Sequence, residues 1–325
     1  MNLYPFKFQP ILKSIIWGGS EISKFKNLDE VEDGIGESWE VSAVKGSISV
    51  IKNGELSGTS LDELIKEAKG QLVGEKVYEK YGNKFPLLIK FIDAQDDLSI
   101  QVHPNDELAK KRHNSFGKTE MWYIVKAKPD AFVIPGFKKK ITPEQYLEKV
   151  KDNTFTDTLQ KQYVKKDEVY FLPAGRVHAI GSGCFIAEIQ QSSDITYRIY
   201  DYNRKDANGN PRELHTELAK DAINYTVYDS YQTEYKSEEN KPIELVRCKY
   251  FTTNLLKFDK TFDQDVSNID SFIVYMCLEG SCTLEDDNHN KATIEQGESI
   301  LIPAIIDNIS ITPTSETKLL QTYVE

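Results

Sequence analysis

Asp167-Glu168-Val169-Tyr170-Phe171-Leu172-Pro173-Ala174-Gly175-Arg176-Val177-His178 is the stretch from which the rest of the chain can be read. Apolar, β-branched and aromatic residues between a charged pair and a proline predict a short strand. The following Pro-x-Gly-x-x-His brings a histidine out of a turn directly after it. The pattern returns in Gly297-Glu298-Ser299-Ile300-Leu301-Ile302-Pro303-Ala304, with the same spacing of Glu, apolar run, Pro and Ala. The second copy continues Ile305-Ile306-Asp307-Asn308, so asparagine stands where the first has His178. This echo predicts two barrels of common design, of which only the first can hold a metal.

Working outward from His178, two further segments offer ligands. In Leu98-Ser99-Ile100-Gln101-Val102-His103-Pro104, alternate strand residues share a face, so Gln101 and His103 point the same way. The same rule puts Lys118 and Glu120 on one face of Lys118-Thr119-Glu120-Met121-Trp122-Tyr123. Two histidines and a carboxylate from three segments, completed by an amide oxygen, form a metal-ligand set. Zinc suits these donors, and iron, manganese or cobalt would accept them too. His113, His215 and His289 lie in polar stretches without an evident partner and read as structural or exposed.

Short strands are predicted over 36–53 and 85–93, and regularly spaced strands dominate beyond residue 242. Capping boxes at Ser60-Leu61-Asp62-Glu63 and Thr142-Pro143-Glu144-Gln145 open two amphipathic helices. A third helix is predicted near Thr216 to Asn224, with Leu218, Ala222 and Ile223 inward. The polar stretch from Asp229 to Lys241 marks a domain boundary, giving a metal-binding domain over 1–228 and a metal-free one over 229–325. The fold class expected is mainly β: two cupin-like β-barrels, or jelly rolls, with a few short helices.

The chain has 325 residues, a formal net charge of −11 and only four cysteines, none in a CxxC pair. The charge argues against nucleic acid and anionic membranes as partners. No apolar run approaches the roughly 20 residues of a membrane span, and no export signal is visible, which points to the cytoplasm. An anionic substrate would need a local basic pocket. Arg198 offers a planar donor fork for one, and Lys118 lies on the face of Glu120. Glu188, flanked by Ile186, Ala187 and Ile189, is a carboxylate whose pKa desolvation would raise, suited to carrying a proton. Trp17-Gly18-Gly19 and Trp39 read as packing and tight-turn residues.

Pro173-Ala174-Gly175-Arg176-Val177-His178 resembles the second signature of the cupin superfamily, small metal-carrying β-barrels. Trp17-Gly18-Gly19, Gly36-Glu37-Ser38-Trp39-Glu40, Gln101-Val102-His103-Pro104, Lys118-Thr119-Glu120 and Thr196-Tyr197-Arg198 together resemble type I mannose-6-phosphate isomerases in their short bacterial form. The similarity runs from about residue 4 to 225, and more weakly through the second barrel. It implies interconversion of mannose 6-phosphate and fructose 6-phosphate, and one zinc on Gln101, His103, Glu120 and His178. It also implies an essential Arg198 and active-site roles for Lys118 and Glu188. Longer members carry a large helical insertion that this chain lacks, so the cover of the pocket must differ.

Two other functions fit parts of the pattern. An iron oxygenase on a cupin barrel would use two histidines and a carboxylate, without needing Gln101, Lys118 or Arg198. A non-catalytic sugar-phosphate-binding cupin would bind without turnover. The second barrel also offers an exposed β-surface suited to a homodimer.

Overall fold

Two strands buried at every position organise the chain. Leu87–Ala94 and Cys184–Gln191 expose neither face, so each must sit mid-sheet with packing on both sides. The computed structural model describes residues 1–205 and 209–325. In it these strands lie side by side in a seven-stranded antiparallel sheet ordered Gln232–Thr233, Val169–Leu172, Glu120–Ala127, Cys184–Gln191, Leu87–Ala94, Ile35–Val41 and Ile11–Gly19. Strand alternation divides its faces. Leu87, Ile89, Phe91, Met121, Tyr123, Ala187 and Ile189 enter a large core shared with the rest of the molecule. Leu88, Lys90, Glu188 and Gln190 point the other way, into a pocket.

The second unit pairs a six-stranded sheet with a four-stranded one. Phe6–Lys7, Ser299–Ile302, Ile273–Glu279, Thr317–Tyr323, Thr252–Phe258 and Pro242–Arg247 form the first; Phe262–Asp265, Asn308–Pro313, Ser281–Asp286 and Lys291–Glu295 form the other. Ile273, Tyr275 and Cys277 fill a mixed aliphatic and aromatic core between these two sheets, while Val274, Met276 and Leu278 join the large shared core. The fold is thus mainly β and of the expected cupin-like design. Among the described residues the sheets stay open, facing one another across cores, rather than closing into complete barrels.

Strands cross the expected 228/229 boundary in both directions. Phe6 and Lys7 pair with Leu301 and Ile300 of the second unit. Gln232 and Thr233 pair with Tyr170 and Val169 of the first. Between the units lie the helices Leu61–Ala68, Gly70–Val73 and Glu75–Tyr81, whose Leu64, Ile65, Leu72 and Val77 are fully or almost fully buried. Ala304 and Ile305 donate to the carbonyls of Leu72 and Gln71, and Glu75 N–H donates to Asp270, so this helical segment clamps the second sheet to the first.

Local expectations met the structure unevenly. Both capping boxes form: Ser60 N–H donates to Glu63 and Thr142 N–H to Gln145, opening Leu61–Ala68 and Pro143–Lys151. The predicted 36–53 strand ends at Val41, because the chain turns back there into a short hairpin of Ala43–Val44 with Ser47–Ile48 around Gly46. The third helix spans Thr216–Ala222, but Leu218 faces solvent; Ala219 and Ile223 are the buried pair.

Candidate metal centre

Backbone hydrogen bonds hold the predicted ligands together before any side chain is considered. Gln101 and His178 form an isolated antiparallel bridge, each N–H donating to the other's carbonyl at 3.0 and 2.9 Å. Gly175, in the turn before His178, donates to the carbonyl of His103 at 2.9 Å. Its φ of +91° suits glycine, and a Cβ there would lie 2.9 Å from the carbonyl oxygen of Ala222. Glu120 opens its strand between Leu172 and Gln190, facing the same space.

His103, Glu120 and His178 are buried almost completely, and their ligand atoms all lie within 4.8 Å of one another. The two Nε2 atoms are 3.1 Å apart, and each imidazole is 3.2 to 3.4 Å from a Glu120 oxygen. Both Nδ1 atoms face backbone carbonyls, His103 to Ile195 at 2.8 Å and His178 to Arg176 at 2.9 Å. Those contacts place the protons on Nδ1 and leave both Nε2 lone pairs converging on one point. Burial, reinforced by the Lys118 charge, pushes His103 down to about 3, and burial also lowers His178. Burial alone would raise Glu120, but Lys118 and the two imidazoles hold it well below the usual carboxylate range.

Two facing lone pairs beside a buried carboxylate attract cations: the Lys118 ammonium stands 3.1 Å from His103 Nε2, and a metal would take its place among the three ligands. Glu120 receives no hydrogen bond on either oxygen; the Lys118 ammonium is 3.0 Å from Oε2 but not aligned to donate. This orphaned carboxylate and the Nε2 pair fit a divalent metal. The Gln101 side-chain amide sits 3.4 Å from His178 Nε2, and a half-turn of its amide would present the oxygen. The structure therefore brings Gln101, His103, Glu120 and His178 together, with Lys118 against them.

Beside this cluster is a cavity of about 220 Å³ that contains the remaining predicted residues. Glu188 lies on its wall, Oε1 accepting from Trp122 Nε1 at 2.7 Å and Oε2 facing Lys90 Nζ at 2.7 Å. Burial raises its pKa, helped by the Glu120 charge and opposed by Lys90. Arg198 lines the mouth, NH1 donating to the Glu213 carbonyl at 3.0 Å while Nε makes no hydrogen bond. Arg212 stands beside it in the same lining. The lining carries Lys90, Lys118, Arg198 and Arg212 against Glu37, Glu188 and Asp194; Lys90 is paired with Glu188 and Glu37 and Arg212 with Asp201, so Lys118 and Arg198 are the cations placed to meet an anionic substrate.

Sequence reasoning missed Lys90, the buried cation between Glu188 and Glu37, whose Oε1 is 3.5 Å away. Its two carboxylates outweigh burial and raise its pKa. A lone lysine inside Leu87-Leu88-Ile89-Lys90-Phe91-Ile92 was the available signal, since a charge in a fully buried strand requires partners. Trp39 lines the cavity with Nε1 donating to Glu37, and Trp17 lines it too while packing in the adjoining core. His113, His215 and His289 stay outside the ligand cluster, yet none lacks a partner: they contact Tyr197 OH, the Arg198 N–H and Glu285.

Residues 5–138 match the phosphomannose isomerase type I catalytic domain, and residues 241–323 match the mannose-6-phosphate isomerase cupin domain. The mannose-6-phosphate isomerase ManA of Bacillus subtilis is 33% identical over 93% of this chain and 94% of its own. The mannose-6-phosphate isomerase of Streptococcus mutans is 39% identical over 67% of each chain. A solved mannose 6-phosphate isomerase from Bacillus subtilis superposes with a TM-score of 0.88, covering 98% of this chain and 99% of that one at 29% identity.

Proposed function

Because the chain belongs to the type I phosphomannose isomerase family, we propose that it interconverts mannose 6-phosphate and fructose 6-phosphate through an enediol, using one zinc ion on Gln101, His103, Glu120 and His178. The reaction class is aldose–ketose isomerisation, and the metal dependence of the family accords with the His-Glu-His cluster. The observation that carries this reading is the convergence of two neutral Nε2 atoms on an orphaned carboxylate. Zinc is assigned because a mixed imidazole, carboxylate and amide set suits it and leaves room for substrate oxygens. When bound, the metal supplies Lewis-acid polarisation of the sugar's carbonyl and hydroxyl oxygens, offsetting charge that develops as a proton leaves carbon.

The chain's own residues supply the rest. Isomerisation moves a proton between C1 and C2, which needs a group that can take and return it. Glu188 is our candidate, because Trp122 and Lys90 fix both of its oxygens at the cavity wall. Trp122 also meets the His178 ring edge-on, so one indole positions both groups. Arg198 would orient the anionic substrate with its rigid donor fork, and Lys118 would add positive charge beside the reacting oxygens. Trp17, Trp39 and Leu98 wall the cavity and exclude water from that chemistry.

We assign catalysis to residues 1–228 and a metal-free supporting role to 229–325. A cytoplasmic location fits the four unpaired thiols. The oxygenase and the non-catalytic readings are not favoured, because relatives matching nearly the whole chain are isomerases. The deciding assay is formation of fructose 6-phosphate after chelation and metal return. Turnover lost to chelator and restored by zinc is the expected result; turnover indifferent to chelation would sink the metal role.

A further inference from the structure

A second cleft, of about 320 Å³, opens where the two units meet and shares no lining residue with the metal-site cavity. Its apolar surfaces are aromatic. Tyr81 and Phe116 meet edge to face with centroids 5.7 Å apart, and Tyr250 reaches in from the second unit. Its rim is cationic. Lys80 lies 4.9 Å over the Tyr81 ring, Lys84 5.4 Å over Phe116 and Lys249 5.3 Å over Tyr250, with Lys110 completing the set. Among the described residues, Lys80, Lys84 and Lys110 have no carboxylate within ion-pair distance.

The one carboxylate in the lining, Asp106, is already engaged. Its Oδ1 accepts from Gly117 N–H and Gln191 Nε2, both at 3.0 Å, and its Oδ2 accepts from Tyr250 OH at 2.7 Å. Lys80, Lys84 and Lys110, with Lys249 3.7 Å from the one committed carboxylate, stand out on a chain of net charge −11. Ammonium groups of this kind bind phosphate as point charges, and aromatic faces take flat rings. The volume falls within the range of small-ligand sites. We propose that this cleft binds a small phosphorylated ligand carrying a flat ring, of the nucleoside monophosphate class, and that its occupancy acts on the metal site.

The route is short and covalent. Phe116, in the cleft wall, precedes Gly117, which is pinned to Asp106 so closely that a Cβ would lie 2.7 Å from the Asp106 nitrogen. The next residue is Lys118, whose ammonium stands 3.0 Å from Glu120. Gln191 ties the same Asp106 to Thr119, accepting its N–H at 2.9 Å. A ligand that moves Phe116 or draws on Asp106 therefore moves the segment carrying Lys118 and Glu120.

The test is equilibrium dialysis of labelled adenosine monophosphate against the zinc-loaded full chain. An equilibrated mixture of mannose 6-phosphate and fructose 6-phosphate keeps the catalytic cavity filled. One site per chain is expected, weakened about tenfold or more by Lys84→Glu with Lys110→Glu in a protein that melts with the parent. The pair Lys80→Glu with Lys249→Glu repeats the test from the opposite walls. Adenosine alone and inorganic phosphate alone should each bind about tenfold more weakly than the monophosphate. No binding at millimolar concentration, or binding untouched by both variant pairs, overturns the site; phosphate alone binding equally overturns the ring contact. Saturation should change turnover about twofold or more, and occupancy without change overturns the link to the metal site.

Discussion

Glu120–Ala127 and Ile273–Glu279 occupy the same place in their two units, and their differences show what turns a barrel wall into a site. Each pairs with a strand that ends at a Pro-Ala turn, Glu120 opposite Leu172 and Ile273 opposite Ile302. The surrounding bonds repeat as well. Asp167 and Gly297, both at positive φ, donate to Ile124 and Cys277 at 2.8 Å, and those residues donate back to Glu168 and Glu298 at 2.9 Å. Arg176 and Ile306 close matching turns on Pro173 and Pro303 at 3.1 Å. Past the proline the two copies diverge: Gly175, at a φ of +91°, leads to a buried His178, whereas Ile305 leads to an exposed Asn308. Glu120 and His178 give converging ligand atoms, whereas Ile273 enters a core with Ile302, Ile306 and Ile309. One interior of this design can be an apolar core or a polar site, because satisfying buried lone pairs takes a cation, and filling the same space with isoleucine does not.

Exchanging the two designs should break the first unit most severely. His178→Asn, which copies Asn308, removes an imidazole that nothing nearby replaces. Metal content should fall well below one per chain and turnover by about a hundredfold or more, both read on the purified variant. Wild-type metal content would show that His178 is not a ligand.

Lys90→Met tests the cost of having charges inside a barrel wall at all. It strands Glu188 and Glu37 in the cavity wall without their cation, and a broken buried pair costs about 3–5 kcal/mol. A large drop in the urea midpoint is expected; an unchanged midpoint would mean that the pair contributes no net stability. The second unit should answer differently to truncation. Ile273→Ala should cost about 3 kcal/mol by leaving a cavity, with metal content and KM close to the parent's. Loss of metal from that variant would refute a purely supporting role.

The smallest effect concerns pH, and it separates the two units again. His103 titrates near 6.5 when unfolded and is pushed down to about 3 in the metal-free fold, with His178 lowered as well. Below about 6.5 the unfolded chain takes up protons that the folded chain refuses, so stability is complete above that pH and is lost progressively toward 3. The slope is at most about 1.4 kcal/mol per pH unit for each imidazole. Melting of the metal-free protein between pH 7 and 5 should show this fall, and His178→Asn should flatten it. Equal slopes in parent and variant would remove His178 as its source.

The four candidate ligands were legible because each is announced locally. Strand alternation aligns Gln101 with His103 and Lys118 with Glu120, and a Pro-x-Gly turn carries His178. The echo between 167–174 and 297–304 was equally local, and the repeated hydrogen bonds show it to be a shared backbone design. Leu218 and the second half of 36–53 went astray where local pattern competes with packing. Arg198 and Glu188 were identifiable as residue types in context, but nothing near them in the chain indicated Trp122, Lys90 or Arg212 as their surroundings.

What the sequence indicated by itself was therefore a candidate donor set, the mainly β class, the echo between 167–174 and 297–304 and the need for a local basic pocket in an acidic chain. Each follows from backbone period, turn chemistry or net charge, which act over a few residues or over the whole. Tertiary structure alone decided that Lys90 stands between Glu37 and Glu188, and that Phe6–Lys7 and Gln232–Thr233 cross into the opposite units. It also decided that Tyr250 meets Asp106 from across the chain. The reason is register. Which side chains face one another across a sheet depends on a pairing that a one-residue slip would reverse, and burial on both faces, rather than any local signal, selects that pairing.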